Sequence, residues 1–419
     1  MPPTPETGSI SFLDIIKEFG NITDNDKGND TNNPDPVELG SYRASVNYKN
    51  VSYPLDEGVP TSGAISFGDL RGKRLNIVVK VHTSGTAYKA NARSLYNDRT
   101  RNISIVGNGR AKRSVNSRIH IVVTGIWGSE RGTFPTGTNN SQTNRNVCAV
   151  ATGTWATRGG SPTSIDLRVG GSQSQPGYII GGGGNGGKGG ASDGETSGTE
   201  AFKANGSNGC IATSGLGLES PLRNLEIRAP GRIQAGCGGG GGGGGAGGEL
   251  RGDRSNERAG GGGGGGGSGV PGGLGGEFGY RDDSGHNNQE ISAQDGTSGS
   301  SNTGGNGGRG ADNAEEQSPR GDSAQGGGGG AGGGINVGEG GSATEGAGGG
   351  GEGEVIDSEN DPNASGEGGA GGDGDAEGQG QQVGEGGRGG QHGLAIDVKG
   401  NAIGSITGQD RIYGRYNLV

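Results

Sequence analysis

The chain has 419 residues, of which 106 are glycine and 26% are hydrophobic. Glycine usually supplies ~7% of a protein, and so low an apolar fraction excludes one ordinary hydrophobic core spanning the whole length. A net charge of −10 and a pI near 5.1 argue against general nucleic-acid binding.

Charge is uneven along the chain. Residues 71–118 carry many basic side chains and a single acid, Asp98, whereas acids dominate 339–385. A basic arm and an acidic body would make two partner surfaces, and two solvated faces account for the same pattern. Cys148, Cys210 and Cys237 form an odd set without metal-ligand spacing or a CxxC pair, which points to buried free thiols. No charged-then-apolar leader opens the chain, and no apolar run reaches ~18 residues. Synthesis in a cytoplasm, no membrane insertion and, for any role outside a cell, exit without a signal peptide are therefore expected.

Residues 1–76 contain a duplicated motif. The stretch around Ile10-Ser11-Phe12-Leu13-Asp14-Ile15 repeats as Ile65-Ser66-Phe67-Gly68-Asp69-Leu70. Ser11 and Asp14 form a capping-box-like pair. Phe12, Ile15, Ile16 and Phe19 follow at helical spacing and Gly20 ends the run. The second copy stops at Gly72 and predicts a short helical turn. Phe12, Ile15, Ile16, Phe19, Phe67 and Leu70 are candidate docking residues for a larger particle; capped helices packed on their own domain fit the pattern equally well. Between the copies, Asp24, Asp26 and Asp30 lie in a loop whose Gly28 is out of register for calcium binding.

Five β-branched runs, at 75–81, 103–106, 118–124, 147–152 and 164–169, are strand-sized and separated by Gly, Asn and Ser clusters. They predict a small β-sandwich with Trp127 and Trp155 as core or rim aromatics. Residues 222–233 add one or two strands interrupted by Pro230-Gly231.

From 181 to 393 glycine dominates, with uninterrupted runs at 238–245 and 260–267. Around them the exceptions to glycine fall every third residue: Asn185, Lys188 and Ala191; Ser268, Pro271, Leu274 and Glu277; Thr303, Asn306 and Arg309; Glu385, Arg388 and Gln391. A period of three is neither helix nor strand. It is the period of the polyproline II backbone, which has no internal hydrogen bonds. Fixing each residue costs on the order of 1–2 kcal/mol, so only bonds between neighbouring rods could order such tracts. A flexible spacer is the alternative, but a spacer has no reason to keep phase. A bundle of packed polyglycine II helices is therefore expected, with its loops at the two ends. In the loops, Phe278, Tyr280, Arg281 and His286 are candidate receptor contacts, joined by Arg251 and Arg254 in 250–259. A pin holding the loop to the bundle would use the same aromatics. Alternating apolar residues at 393–407 predict a closing hairpin.

No catalytic constellation is present. Chance Gly-x-Gly-x-x-Gly matches open no apolar helix, and no Walker sequence occurs. His82, His120, His286 and His392 are isolated, without metal pairing. The two Arg-Gly-Asp triplets, at Arg251 and Arg320, are expected by chance. No enzyme, cofactor, metal or nucleic-acid partner is expected.

The element Ile65-Ser66-Phe67-Gly68-Asp69-Leu70-Arg71-Gly72 resembles the one that opens many tailed-phage glycine-rich tail and fibre proteins. The order that follows is similar too: strands, then Ile179-Ile180 leading into glycine tracts, Gly231-Arg232-Ile233-Gln234-Ala235-Gly236-Cys237, and a close from Gly386 to Ile396. The tracts resemble the polyglycine II sandwich of tail-fibre-tip adhesins of T-even-like phages. The resemblance implies loops that touch a host glycan or outer-membrane protein and a base bound to other virion proteins, as a monomer tip or a trimer along a fibre axis. The doubled motif and the polar, acidic loops depart from that family.

The resulting expectation is an all-β chain plus polyglycine II: an N-terminal region with short helical docking elements (1–76), a small β-sandwich (77–180), a glycine bundle presenting loops (181–393) and a hairpin tail (394–419). It would serve in a phage tail or fibre as the host-binding component. A stiff spacer or lattice component without receptor contact is the alternative, and an ice-binding or cell-wall glycine-rich protein a lesser one.

Overall fold

In the computed structural model the described residues are 4–19, 39–43, 45–48, 51–73, 76–97, 103–105, 118–135, 147–155, 165–171, 174–190, 205–249, 256–259, 261–278, 293–310, 312–313, 324–325, 327–334, 350, 375–376, 379–383 and 385–416. The strand-forming runs do not make a sandwich. Seven strands form one parallel path in the order Ile406–Thr407, Leu222–Ile227, Ile165–Val169, Arg118–Gly128, Gly177–Ile180, Arg232–Gln234 and Ile412–Tyr413, curled into a half-barrel. The turning point is Arg118–Gly128. Its residues 119–123 pair with Ile165–Val169 and its residues 125–127 with Gly177–Ile180. Gly125 sits at the bend with φ +87°, and a Cβ there would lie 2.3 Å from the Thr83 carbonyl oxygen. Only glycine fits.

A second parallel sheet closes the remaining side, in the order Ile396–Asp397, Ser214–Gly217, Cys148–Ala151 and Ala90–Asn91. The chain therefore runs in circuits, each laying strands on three sides of one apolar interior. That interior holds Ile77, Ile119, Ile165 and Leu225 from the first side, Trp127, Ile179, Ile233 and Ile412 from the second, and Val150, Leu216 and Ile396 from the third. Trp155 is fully buried in it. Helix α1 (Phe12–Phe19) and helix α2 (Ala92–Asn97) are short.

The expected class is thus corrected. The arrangement is α/β-type, a parallel curled sheet with two short helices, and not all-β with a sandwich and helical docking elements. β-Branched runs read alike in parallel and antiparallel sheets. The partners here lie at long, unequal intervals, Ile119 with Ile165, Leu167 with Leu225, and Leu225 with Ile406, so no repeat shows in the sequence. The expected closing hairpin is corrected too. Ile396–Asp397 and Ile406–Thr407 add in parallel to Ser214–Gly217 and Leu222–Ile227, on different sides.

The glycine tracts leave the second side after Ile180 and after Gln234 and return to the third side at Ser214 and Ile396. They form a slab inserted into two circuits at one corner. Its interior follows one bonding rule. Along 263–268 successive N–H groups donate to Gln294, Gly187, Gly330, Thr297, Gly184 and Gly333, so every third bond returns to the same neighbouring tract. The carbonyls of residues 262–267 accept from Gly243, Gly308, Gly276, Gly240, Gly305 and Gly273 with the same period. The tract thus donates to three neighbours and accepts from three others. A Cβ at Gly265 would lie 2.0 Å from the Gly305 oxygen, and one at Gly240 2.0 Å from the Gly330 oxygen.

Many non-glycine residues sit where no further tract adjoins. Lys188, Leu274, Glu277, Asn306, Arg309 and Arg388 are exposed. Cys237, Ser268 and Ala331 are buried among the tracts, and so is His392. Its Nδ1 accepts the Gly238 N–H at 2.9 Å, and burial pushes its pKa down to about 3.

Gly265→Ala is expected to cost more than about 4 kcal/mol or to prevent folding, because the obstruction is backbone. Lys188→Ala, on the exposed edge with a 3.6 Å pair to Glu277, should stay within about 1 kcal/mol. Denaturant unfolding of both variants checks this. His392 binds its proton less readily folded than unfolded, so its contribution is present above the unfolded value of about 6.5 and is lost as pH falls toward 3. The stability difference between parent and His392→Gln should therefore shrink across that window, by up to about 1.4 kcal/mol per pH unit, as measured by unfolding at a series of pH values.

Candidate functional site

The slab has a built-in end and a far end. At the solenoid end Gly236 N–H donates to the Thr213 oxygen and Gly181 N–H to the Gln234 oxygen. At the far end Gly190 bonds Gly243, Gly243 bonds Gly262, and Gly327 bonds Gly244. Tracts 181–190, 236–245, 269–278 and 303–310 run outward; 205–213, 261–268, 293–300, 327–334 and 385–393 run back. The chain therefore crosses between tracts at the far end after residues 190, 245, 278 and 310. Two small antiparallel sheets stand there. One joins Asn256–Ala259, Ala246–Glu249 and Gln379–Val383; the other joins Asp312–Asn313, Ala324–Gln325 and Asp375–Ala376.

Phe278 ends an outward tract. It is half-buried, and its N–H donates to Asp295 Oδ1 at 2.8 Å. Tyr280, Arg281 and His286 lie in the connection that begins beside it, and Arg251 and Arg254 in the connection between Ala246–Glu249 and Asn256–Ala259. These five lie outside the described residues. What the fold does bring together is the roots of the two connections, at the same end of one slab.

Sequence reasoning missed a set of small polar residues that finish the slab surface. Outward N–H groups have no further tract to bond. Asn185 Oδ1 accepts from Leu274 N, Asn205 Oδ1 from Glu385 N, Asn208 Oδ1 from Arg388 N, and Thr297 Oγ1 from Asn306 N, all at 2.7–2.9 Å. These bonds give the periphery what neighbouring backbone gives the interior. The signal was Asn, Ser or Thr at the outward position of one tract facing any residue at that position of the next.

Five of the six candidate docking residues belong to one apolar cluster. Ile15, Phe19 and Leu70 are buried with Tyr42, Tyr53, Leu55 and Val59 against Val78 and Val122 on the outer face of the solenoid's first side; Phe12 and Phe67 pack around them. Ile16 is also buried. The two motif copies adopt one geometry. Ser11 Oγ donates to Asp14 at 2.7 Å and Ser66 Oγ to Asp69 at 2.8 Å, and the equivalent rings Phe12 and Phe67 meet edge to face at 4.8 Å. The serine bonds hold the Asp69 carboxyl below its usual range. Around this cap, Asp56 is buried against Arg118 at 2.9 Å, and Glu57 bridges Arg118 and Arg223. Arg223 grips Asp166 through two bonds, at 2.8 and 2.7 Å. Beside them burial lowers the His120 pKa while Asp166 raises it.

Cys148, Cys210 and Cys237 are buried and form no disulfide. Burial pushes their thiols up to about 12, about 11 and about 12, which leaves them unreactive near neutrality. Among the described residues no His, Cys, Asp and Glu cluster could hold a metal, and no helix is long and apolar enough to cross a membrane. No family model, curated protein or solved structure matches the chain.

Phe12→Ala and Phe67→Ala should each destabilise the cap, and a double-mutant cycle should show a coupling of about 0.5–1.5 kcal/mol from the edge-to-face contact. Chemical unfolding of the four proteins measures it.

Proposed function

We propose that the protein is a tail or fibre-tip component of a tailed phage that contacts the host cell surface through the connections at the far end of the glycine slab. The observation that supports this most is directional. One end of the slab is bonded into the parallel solenoid, and successive tracts turn at the opposite end. Loops on a rigid scaffold are where binding residues collect. The Ile65–Gly72 element and the order of strands and glycine tracts resemble those of phage tail proteins, which supports the same assignment. The partners are then other virion proteins at the solenoid and a host glycan or outer-membrane protein at the far end. Phe278, Tyr280, Arg281 and His286, with Arg251 and Arg254, are the residues assigned to the host contact.

Particles carrying Phe278→Ala, Tyr280→Ala, Arg281→Ala and His286→Ala together should assemble normally and adsorb to host cells at least about tenfold less. Adsorption unchanged by these substitutions and by shortening of 250–255 would instead favour a purely structural virion component.

A further inference from the structure

We propose that the outer face of the solenoid's second side, at Tyr178, Arg232 and Tyr413, binds a saccharide unit that carries a carboxylate. Ile179, Ile233 and Ile412 belong to the interior, so their strand neighbours Tyr178, Arg232, Gln234 and Tyr413 point outward. The register sets Tyr178 beside Arg232 and Tyr413 beside Gln234. The Arg232 guanidinium lies over both rings, 5.6 Å from the centre of Tyr178 and 5.9 Å from that of Tyr413.

This guanidinium lacks a counter-ion. On the first side Arg118, Arg223 and Arg228 pair with Asp56, Asp166 and Glu226. Arg232 pairs with no carboxylate among the described residues. Its Nη2 donates to Asn302 Oδ1, a neutral amide, and its Nε is buried without a partner. Burial lowers its pKa, and only Tyr413 and Tyr178 raise it. A cation drawn partly out of water without an opposite charge is costly, and a bound anion offsets that cost.

The surroundings narrow the anion. A guanidinium presents its N–H groups as a planar fork that matches a carboxylate. The rest of the site is neutral. Tyr178 and Tyr413 are half-buried, and neither hydroxyl bonds to a described residue. Gln234 Nε2 is held by the Ser301 oxygen at 3.1 Å, while its Oε1 is buried without a partner. Each tyrosine thus offers an apolar ring and an unused polar tip. A sugar ring, with C–H faces and hydroxyl edges, complements that pair. One cation in a chain of net charge −10 suits a single negative charge and disfavours a polyanion.

The site is walled by the slab. Ser301 and Asn302 lie in the turn between tracts 293–300 and 303–310, at the solenoid end. Ser300 fixes this turn. Its N–H donates to the Thr303 oxygen at 2.8 Å, and its hydroxyl accepts the Thr303 N–H at 3.0 Å. Asn302 is therefore held in place against Arg232. The site stands at the opposite end from the connections assigned to the host contact, and it holds whether or not those connections touch a host.

The test is calorimetric titration of the full-length protein with glucuronate, glucose, glucose 6-phosphate and N-acetylglutamate. Glucuronate should bind at least about tenfold tighter than glucose, with the difference shrinking as salt rises. Arg232→Gln removes an unpaired, partly buried charge and should bring glucuronate down to the level of glucose. Tyr178→Phe keeps the ring, removes one hydroxyl and should weaken glucuronate about threefold; it decides the matter if the Arg232 variant misfolds. No binding, equal binding of glucose and glucuronate, or glucuronate binding unchanged by these substitutions would overturn the proposal. So would tighter binding of glucose 6-phosphate, which would make this a phosphate site, or of N-acetylglutamate, which would make a protein carboxylate the occupant. Host adsorption of particles altered at Phe278 to His286 is a separate readout, so failure of one assignment leaves the other standing.

Discussion

The structure depends on backbone bonding between glycine tracts that only the absence of a Cβ permits. An interior residue such as Gly264 donates to one tract and accepts from another, at 2.8 and 2.7 Å. Each such bond is worth about 1 kcal/mol net. That is comparable with the roughly 1–2 kcal/mol needed to fix a residue. Interior tracts are therefore close to balance, and anything that lowers bond density tips them toward disorder. This is why the uninterrupted run 261–267 lies where six tracts surround it, and why long side chains such as Lys188, Glu277, Arg309 and Arg388 appear where bonding partners end. Asn185, Asn205, Asn208 and Thr297 restore the bonds missing at the surface.

The slab does not start from nothing. The parallel solenoid supplies a conventional core, rich in Ile, Val and Leu, and delivers the chain to the slab already in register. Thr213 shows the join. Its N–H donates to Gly182, its carbonyl accepts from Gly236, and its hydroxyl caps Gly182 N–H at 2.7 Å. Strand ladder and glycine tract share one set of bonds there, so rigidity passes from core to slab. The cap around Leu55 and Leu70 seals the first side of the solenoid, and the Arg118, Arg223, Asp166 and Glu57 network ties it down.

Some of this could be read from the residues and some could not. The strand-sized runs lie where strands lie, because β-branched density marks buried strands whatever their direction. Their direction was not readable. Antiparallel hairpins and parallel circuits differ in what lies between strands, and here that includes the whole stretch from Gln234 to Ile396. Strand Ser214–Gly217 left no signal at all, since its small residues are selected by close approach, with a Gly215 Cβ placed 2.7 Å from the Gln234 oxygen. The three-residue phase of Asn185 and Lys188, or of Asn306 and Arg309, does coincide with half-buried or exposed positions. The candidate contacts are a different case. Phe278 marks where one connection begins, but residue type alone does not place Tyr280, Arg281 or His286. The apolar face of helix α1 was readable; that it would be covered by Tyr42, Tyr53 and Leu55 was not, because those residues come from outside the duplicated motif.

Amide hydrogen exchange across residues 238–267 of the intact protein tests the central claim most directly. Laterally bonded tracts require that Gly262 to Gly267 exchange orders of magnitude more slowly than in a free glycine-rich peptide, with loss of protection only on global unfolding. Exchange at the free-peptide rate in the folded protein would mean that no rigid slab exists, and would remove the basis for loops presented at its far end.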